Sequence, residues 1–77
     1  KKMRKVMKVS FSTQMEETPH FTGADFLRKT QGMYEYIIPA EIGPLLAELN
    51  NLPVSDLIIS EANLEDIFIS YYQSSNN

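Results

Sequence analysis

The chain opens with alternating apolar and polar residues over Met3–Thr13, which is typical of a β-strand with one buried face. Three apolar side chains share that face: Met7, Val9 and Phe11. The next stretch, Gln14–Gly23, contains proline, glycine and two adjacent glutamates, so it predicts a turn or a single helical turn. Its two apolar residues, Met15 and Phe21, are expected to pack against the sheet.

Two further strands are predicted over Ala24–Thr30 and Met33–Ile38, and Gln31-Gly32 between them predicts the tight turn of a hairpin. Alternate residues of the second strand share one apolar face: Tyr34, Tyr36 and Ile38. The first strand has an alternative, because Ala24–Lys29 is also compatible with a helix.

The spacing of apolar residues predicts a helix over Ala40–Leu52 and a fourth strand over Val54–Ser60. The helix carries a continuous apolar stripe: Ile42, Leu45, Leu46, Leu49 and Leu52. Pro44 falls in its first turn, where the missing N–H has little consequence.

A second helix is predicted to begin at Asn63, which is a favourable N-cap residue. Glu65 and Asp66 follow it and place negative charge at the positive end of the helix dipole. The apolar residues of this helix are Leu64, Ile67, Phe68 and Tyr71, with Ile69 and Tyr72 beside them. The interpretation of the whole chain depends on this helix covering the sheet, with Leu64 and Phe68 buried and Asn63 at the helix start.

These elements predict an α+β domain with the order β-link-β-β-α-β and an added C-terminal helix. This is a ferredoxin-like, split βαβ arrangement whose first crossover helix is degenerate or missing, and both helices are expected on one face of the sheet. Residues 1–73 are predicted to form this single domain, and residues 74–77 a disordered tail.

Composition and charge argue against two classes of function, nucleic-acid binding and membrane insertion. The chain has 77 residues, no cysteine, one histidine and a net charge of -3. Five of its seven basic residues lie in the first eight positions, and the remaining 69 positions carry two basic against ten acidic residues, a net charge of -8. Such an acidic body argues against nucleic-acid binding. No run of about 20 apolar residues is present, which argues against direct insertion into a membrane.

No catalytic, cofactor-binding or metal-binding residue is predicted. Glu65 and Asp66 are adjacent on a helix and point about 100° apart, so they do not converge on one proton or metal ion. His20, with Glu16 and Glu17 nearby, lacks a fourth ligand, and an exposed histidine is the simpler interpretation. The tyrosine pairs at 34/36 and 71/72 could stack on bases, but one tyrosine of each pair is expected in the core and the other on the surface.

Residues 60–72 resemble the closing signature of bacterial ABC transporter ATP-binding subunits of the drug, antibiotic or sodium exporter type. In that family a small C-terminal domain ends in a motif of the type Glu-Pro-Ser-Leu-Glu-Asp-Val-Phe-Leu. Four residues match it directly: Leu64, Glu65, Asp66 and Phe68. Ala62 and Asn63 stand where the family usually has Pro-Ser, and Asn63 keeps the capping chemistry. The order of the upstream elements is also similar, so the resemblance extends over roughly residues 5–72.

The resemblance implies that the chain is a fragment and a non-catalytic accessory or regulatory domain. The parent subunit would bind ATP and Mg²⁺, hydrolyse ATP and drive export, and it would lie at the cytoplasmic face of the membrane through its permease partner. The fragment itself would bind no cofactor. Its implied partners are its own nucleotide-binding domain and a second copy of the subunit.

The second helix has more apolar surface than one core-facing side requires. A docking surface is therefore predicted at Phe68, Ile69, Tyr71 and Tyr72, with a fully buried helix end as the alternative. Two other function classes stay open. One is a free-standing ferredoxin-like regulatory module that binds a small molecule between subunits; it requires a glycine-containing loop after the first strand, for which Gly23 is the single candidate. The other is an RNA-binding module, which the acidic charge opposes.

Overall fold

The computed structural model describes residues 4–75 as four strands and two helices. In chain order they are β1 Lys5–Phe11, β2 Asp25–Thr30, β3 Met33–Ile38, α1 Gly43–Leu49, β4 Val54–Glu61 and α2 Leu64–Ser75. The strands form one sheet in the order β2-β3-β1-β4, and every neighbouring pair is antiparallel. The α+β class is therefore confirmed. Met3, where the first strand was predicted to begin, lies outside the described residues.

The predicted hairpin is confirmed, and β2 is a strand rather than the alternative helix. Its turn residues both have positive φ, 53° at Gln31 and 82° at Gly32. This is the geometry of a type I′ turn, whose twist matches that of the flanking strands. Glycine adopts a positive φ without strain, so Gly32 favours this two-residue turn. A turn of fixed length sets the register of the two strands.

The first face of the sheet carries the larger core. Met7 lies opposite Tyr36 on β3 and opposite Ile59 on β4. The buried residues of this core, which include two from α1, are Met7, Val9, Phe21, Tyr34, Tyr36, Ile38, Leu45 and Leu49. The alternation in β1 and β3 therefore predicted this face correctly.

The second face is also apolar, and the prediction of both helices on one face is wrong. Val6 and Ile37 lie opposite each other and are 4% and 0% exposed. They alternate with Met7 and Tyr36, so they point to the other side of the sheet. Helix α2 packs on this second face through Ile69, whereas α1 packs on the first.

Helix α1 is shorter than the predicted Ala40–Leu52. It begins at Gly43, after Ile42 with φ -101° and ψ -2°. In a helix starting at Ala40, Pro44 would have no N–H for the Ala40 carbonyl and its ring would clash there. At the other end Leu52 N–H donates to the Leu49 carbonyl three residues back, which closes the helix with a tighter turn.

Helix α2 differs from the prediction in its packing and its end. Leu64 and Phe68 are 72% and 59% exposed, so the expectation that they are buried is wrong. The second face needs only one side of the helix, and Ile69 lies on that side. The helix continues through Ser75, so the first two residues of the predicted tail are helical, and residues 76–77 lie outside the described part.

The link between β1 and β2 contains neither helix nor strand, and it is held by Tyr36. The Tyr36 hydroxyl donates to the Pro19 carbonyl at 2.6 Å, and the Phe21 ring meets the Tyr36 ring edge-on with centroids 5.2 Å apart. Met15 and Phe21 pack against the first-face core as predicted. Burial, with a smaller contribution from Tyr34, raises the pKa of Tyr36 well above its ordinary value.

Replacing Tyr36 with phenylalanine tests this anchor. We expect Tyr36→Phe to lower the free energy of unfolding by about 1 kcal/mol at pH 7, because the Pro19 carbonyl loses its donor. Since the folded-state pKa of Tyr36 is raised, its contribution is full below pH 10.0, the ordinary value. Above that pH it falls by up to about 1.4 kcal/mol per unit. Urea unfolding from pH 7 to 11 measures both effects, and parallel curves for the two proteins above pH 10 would contradict the assignment.

Candidate functional site

Helix α2 starts with a reciprocal cap. The Asp66 N–H donates to the Asn63 side-chain oxygen at 2.8 Å, and the Asn63 N–H donates to the Asp66 carboxylate at 3.4 Å. This is the capping-box geometry, with aspartate in the place of the usual glutamate. The predicted helix start at Asn63 is therefore confirmed, and the cap fixes the direction in which α2 leaves β4.

The inner side of α2 is anchored to a small core on the second face. Three buried residues form that core: Val6, Leu27 and Ile37. Ala62 and Ile69 pack against it from the link and the helix. Ile69 was predicted as part of the docking surface, and that assignment is wrong because its side chain points inward.

An ion bridge reinforces the anchor. The Arg28 guanidinium donates to Glu35 across the β2–β3 pair, and its other terminal nitrogen lies 3.7 Å from the Asp66 carboxylate. The side chains of Glu35 and Asp66 are only 10% and 18% exposed. A buried carboxylate is costly without a partner, so Arg28 stabilises both the sheet and the seat of α2.

A bulge in β2 brings Leu27 and Arg28 to the same side. Phe26 lies opposite Tyr36 on the first face, whereas Arg28 lies opposite Glu35 on the second, and the register shifts between them. The extra residue allows the consecutive residues Leu27 and Arg28 both to reach the second face. Leu27 therefore supplies apolar packing for α2, and Arg28 supplies the charge.

Sequence reasoning missed Arg28 and Glu35. The sequence does contain a signal, because Glu35 stands among four large apolar residues of β3. All four are buried together with Glu35 in the structure. A carboxylate in such a strand requires a cation, and the cross-strand neighbour in the hairpin is the nearest candidate.

The opposite side of α2 faces solvent. Its large side chains follow the spacing i, i+4, i+7 and i+8, and are Leu64, Phe68, Tyr71 and Tyr72. The exposed fractions of the last two, 71% and 67%, are as high as that of Leu64. We call these four residues the α2 outer face. Three of the four predicted interface residues, all but Ile69, belong to it.

The tyrosine pairs do not divide between core and surface as predicted. Tyr34 and Tyr36 are two residues apart in a strand, so both point into the first-face core, where they are 6% and 1% exposed. Tyr71 and Tyr72 are both exposed, because neither lies on the side of α2 that meets the sheet.

The remaining candidate residues are not brought together. Glu65 is exposed on α2, whereas His20, Glu16 and Glu17 are exposed on the link. Within residues 4–75 no group of three or more histidine, cysteine, aspartate or glutamate side chains is arranged to hold a metal ion. None of the described helices combines the length and the apolar character that crossing a membrane requires.

A surface cavity lies at the end of the sheet near Gly23. It has a volume of about 510 Å³ and an open mouth, and its charged lining residues are Arg4, Asp25 and Glu41. Arg4 lies 3.2 Å from the Asp25 carboxylate, and its Nε is buried with no hydrogen-bond partner. Gly23 has a φ of 77° and its Cα faces Pro39, so the backbone is closely packed at the wall of the cavity.

The ion bridge predicts that replacing Arg28 lowers the free energy of unfolding more than replacing its partner Asp66. Arg28→Met leaves Glu35 without a cation and should lower the free energy of unfolding by about 2 kcal/mol. Asp66→Asn keeps an acceptor for the cap and removes only the charge, so we expect about 0.5 kcal/mol and faster amide exchange confined to α2. Glu65→Gln is the matched control, because it removes a charge from the same helix turn without touching the bridge. We expect it to cost less than Asp66→Asn, since only the interaction with the helix dipole is lost. Equal effects of Asp66→Asn and Glu65→Gln would show that the bridge to α2 contributes nothing.

The site described above rests on the chain's own residues. Comparison with protein-family models, with curated proteins and with solved structures finds no match to this chain.

Proposed function

We propose that this chain is a non-catalytic interaction module that docks onto another protein surface through the α2 outer face. The observation that carries the proposal is the exposure of Leu64, Phe68, Tyr71 and Tyr72 by 59–72% each. Large aromatic side chains are typical of the centres of protein interfaces and uncommon as a contiguous patch in solvent.

The area of the patch supports a docking role. An aromatic side chain covers about 150–250 Å², so the three aromatic residues together expose about 300–500 Å². This equals the largest apolar patch on a typical monomer, before Leu64 is added. A standard interface buries about 800 Å² on each partner, so the α2 outer face supplies roughly half of one.

The partner that we propose is the nucleotide-binding domain of an ABC exporter subunit, to which this domain would be the C-terminal accessory domain. The support is the resemblance of residues 60–72, whose matching residues Leu64 and Phe68 lie on the α2 outer face. These two residues are exposed, so they do not close the domain's own core in the way that the interpretation from sequence required. The accessory role is therefore proposed for a helix that presents the matching residues to a partner.

The finer fold assignment belongs to the same proposal. We infer a ferredoxin-like, split βαβ arrangement in which an irregular link replaces the first crossover helix. It is supported by the antiparallel order β2-β3-β1-β4, in which the connections β1–β2 and β3–β4 each pass over one strand. In this proposal ATP and Mg²⁺ bind to the parent chain, which is held at the inner face of the membrane by its permease.

Two measurements test the proposed partner. The sequence encoded upstream of Lys1 should contain a phosphate-binding loop and an ABC signature motif, and their absence would refute the parentage.

In the complete subunit, Phe68→Lys with Leu64→Lys should lower ATPase activity and transport at least about fivefold, because a charge enters the interface. Ala47→Lys adds one positive charge, half that of the double variant, at an exposed position on α1 and should leave both activities unchanged. Unchanged activity in the α2 variant would refute docking through this face.

A second candidate function has one observation in its favour. The cavity near Gly23 offers the Arg4 guanidinium beside the carboxylates of Asp25 and Glu41, which suits a small zwitterion such as an amino acid. Glu41 and Asp25 already have polar partners, and the buried Arg4 Nε is out of a ligand's reach. For these reasons we place this function second.

Titration separates the two candidates. The accessory-domain proposal predicts no heat signal and no amide shifts with the twenty amino acids or ATP up to about 1 mM. Saturable amide shifts at Gly23, Ala24 and Ala40 with one amino acid would favour the regulatory module instead. Asp25→Asn is then expected to weaken that binding, since it removes a carboxylate of the cavity wall.

A further inference from the structure

Strand β4 leaves one edge of the sheet open. It pairs with β1 on one side, and among residues 4–75 no strand lies on its other side. The Leu57 N–H donates to its neighbouring Asp56 carboxylate at 3.0 Å, so it is directed away from β1. Backbone groups alternate between the two edges of a strand, and therefore Leu57 and Ile59 present their N–H and C=O groups outward.

A groove with leucine side chains in its wall runs beside this edge on the first face of the sheet. It lies between α1 and β4, has a volume of about 320 Å³, and is lined by Leu46, Leu49, Asn50, Leu52, Val54 and Leu57. Leu46 forms its outer wall and is 43% exposed, although it was predicted to belong to the core-facing stripe of α1. The groove and the open edge are adjacent, because Val54 and Leu57 belong to both.

We propose that this edge and groove bind an extended segment of another protein, which adds to β4 as a fifth strand. The outward N–H of Ile59 and the outward C=O groups can pair with the backbone of an incoming strand, for which the Leu57 N–H would give up its bond to the Asp56 carboxylate. The alternate side chains of that strand would point to the first face, where the leucines of the groove accept apolar groups. The occupant is therefore an extended segment with an apolar residue at every second position.

Charge specifies the occupant further. Asp56 lies on the second face of β4, opposite Ser10, and it is exposed. An added strand places its polar side chains beside it, so a lysine or arginine there is favoured. A second copy of this chain pairing through β4 has no cation to offer, because β4 contains Asp56 and Glu61 and no basic residue. The bound segment is thus basic as well as apolar, and belongs to a different protein.

A synthetic peptide serves as the probe. We would use an eight-residue peptide, as long as β4, with leucine or valine alternating with lysine or threonine. Its binding to the 77-residue chain is measured by amide shifts in NMR and by fluorescence anisotropy. We expect saturation near about 100 μM, with shifts confined to β4 and α1. A peptide of the same composition without the alternation is the control and should bind at least about tenfold more weakly.

Two N-methylated forms of the peptide distinguish strand addition from side-chain contact alone. One form is methylated at the odd residues and the other at the even ones, so each removes the N–H groups of one edge. Strand addition predicts that one form loses binding and that the other retains it. Retention or loss of binding by both forms would overturn the proposal.

Variants of the chain locate the site. Leu46→Lys should weaken peptide binding at least about tenfold, because a charge enters the groove wall. Ala47→Lys places the same charge on the same helix, outside the lining of the groove, and should leave binding within about twofold. The proposal is overturned if no peptide binds at about 1 mM, if Leu46→Lys binds normally, or if sedimentation shows that the chain pairs with itself through this edge.

Discussion

The need to cover both faces of the sheet shapes the rest of the structure. Five consecutive residues of β3, Tyr34–Ile38, are buried, although every neighbouring strand pair is antiparallel and such sheets often leave one face in water. The first face is covered by α1 and by the irregular link held at Tyr36. Only α2 remains for the second face, and it reaches the core formed around Ile37. The position of the C-terminal helix therefore follows from the burial of β3.

This constraint also explains the charge at the centre of the fold. Glu35 lies in β3, which is buried on both faces of the sheet. Its carboxylate therefore needs a cationic side chain from a neighbouring strand. Arg28 reaches it because of the bulge after Phe26, and the same guanidinium then meets Asp66 at the start of α2. Apolar packing places α2 on the second face, and the ion bridge fixes which of its sides turns inward. The same two interactions therefore determine which side of α2 faces solvent.

Much of the fold could be predicted from local pattern, and the parts that could not depend on contacts distant in sequence. Strand alternation, the turn at Gly32 and the cap at Asn63 are properties of neighbouring residues. The face chosen by α2 depends instead on a second apolar face, which Val6, Leu27 and Ile37 form from three different strands. The sides of α2 were equally ambiguous, because residues 67–69 and 71–72 are apolar around much of the helix. Its exposed side is therefore known only from the structure.

The two proposed binding surfaces have different chemistry and lie on opposite sides of the same sheet. The α2 outer face presents side chains alone, so it suits a preformed apolar surface on a folded partner. The open edge of β4 presents backbone groups, and it suits a segment that becomes ordered as it binds. The two surfaces share no residue, so the two proposals are compatible with both partners bound at once. If both proposals hold, this small acidic domain acts as a link, in which α2 docks onto one protein and β4 pairs with a basic segment of another.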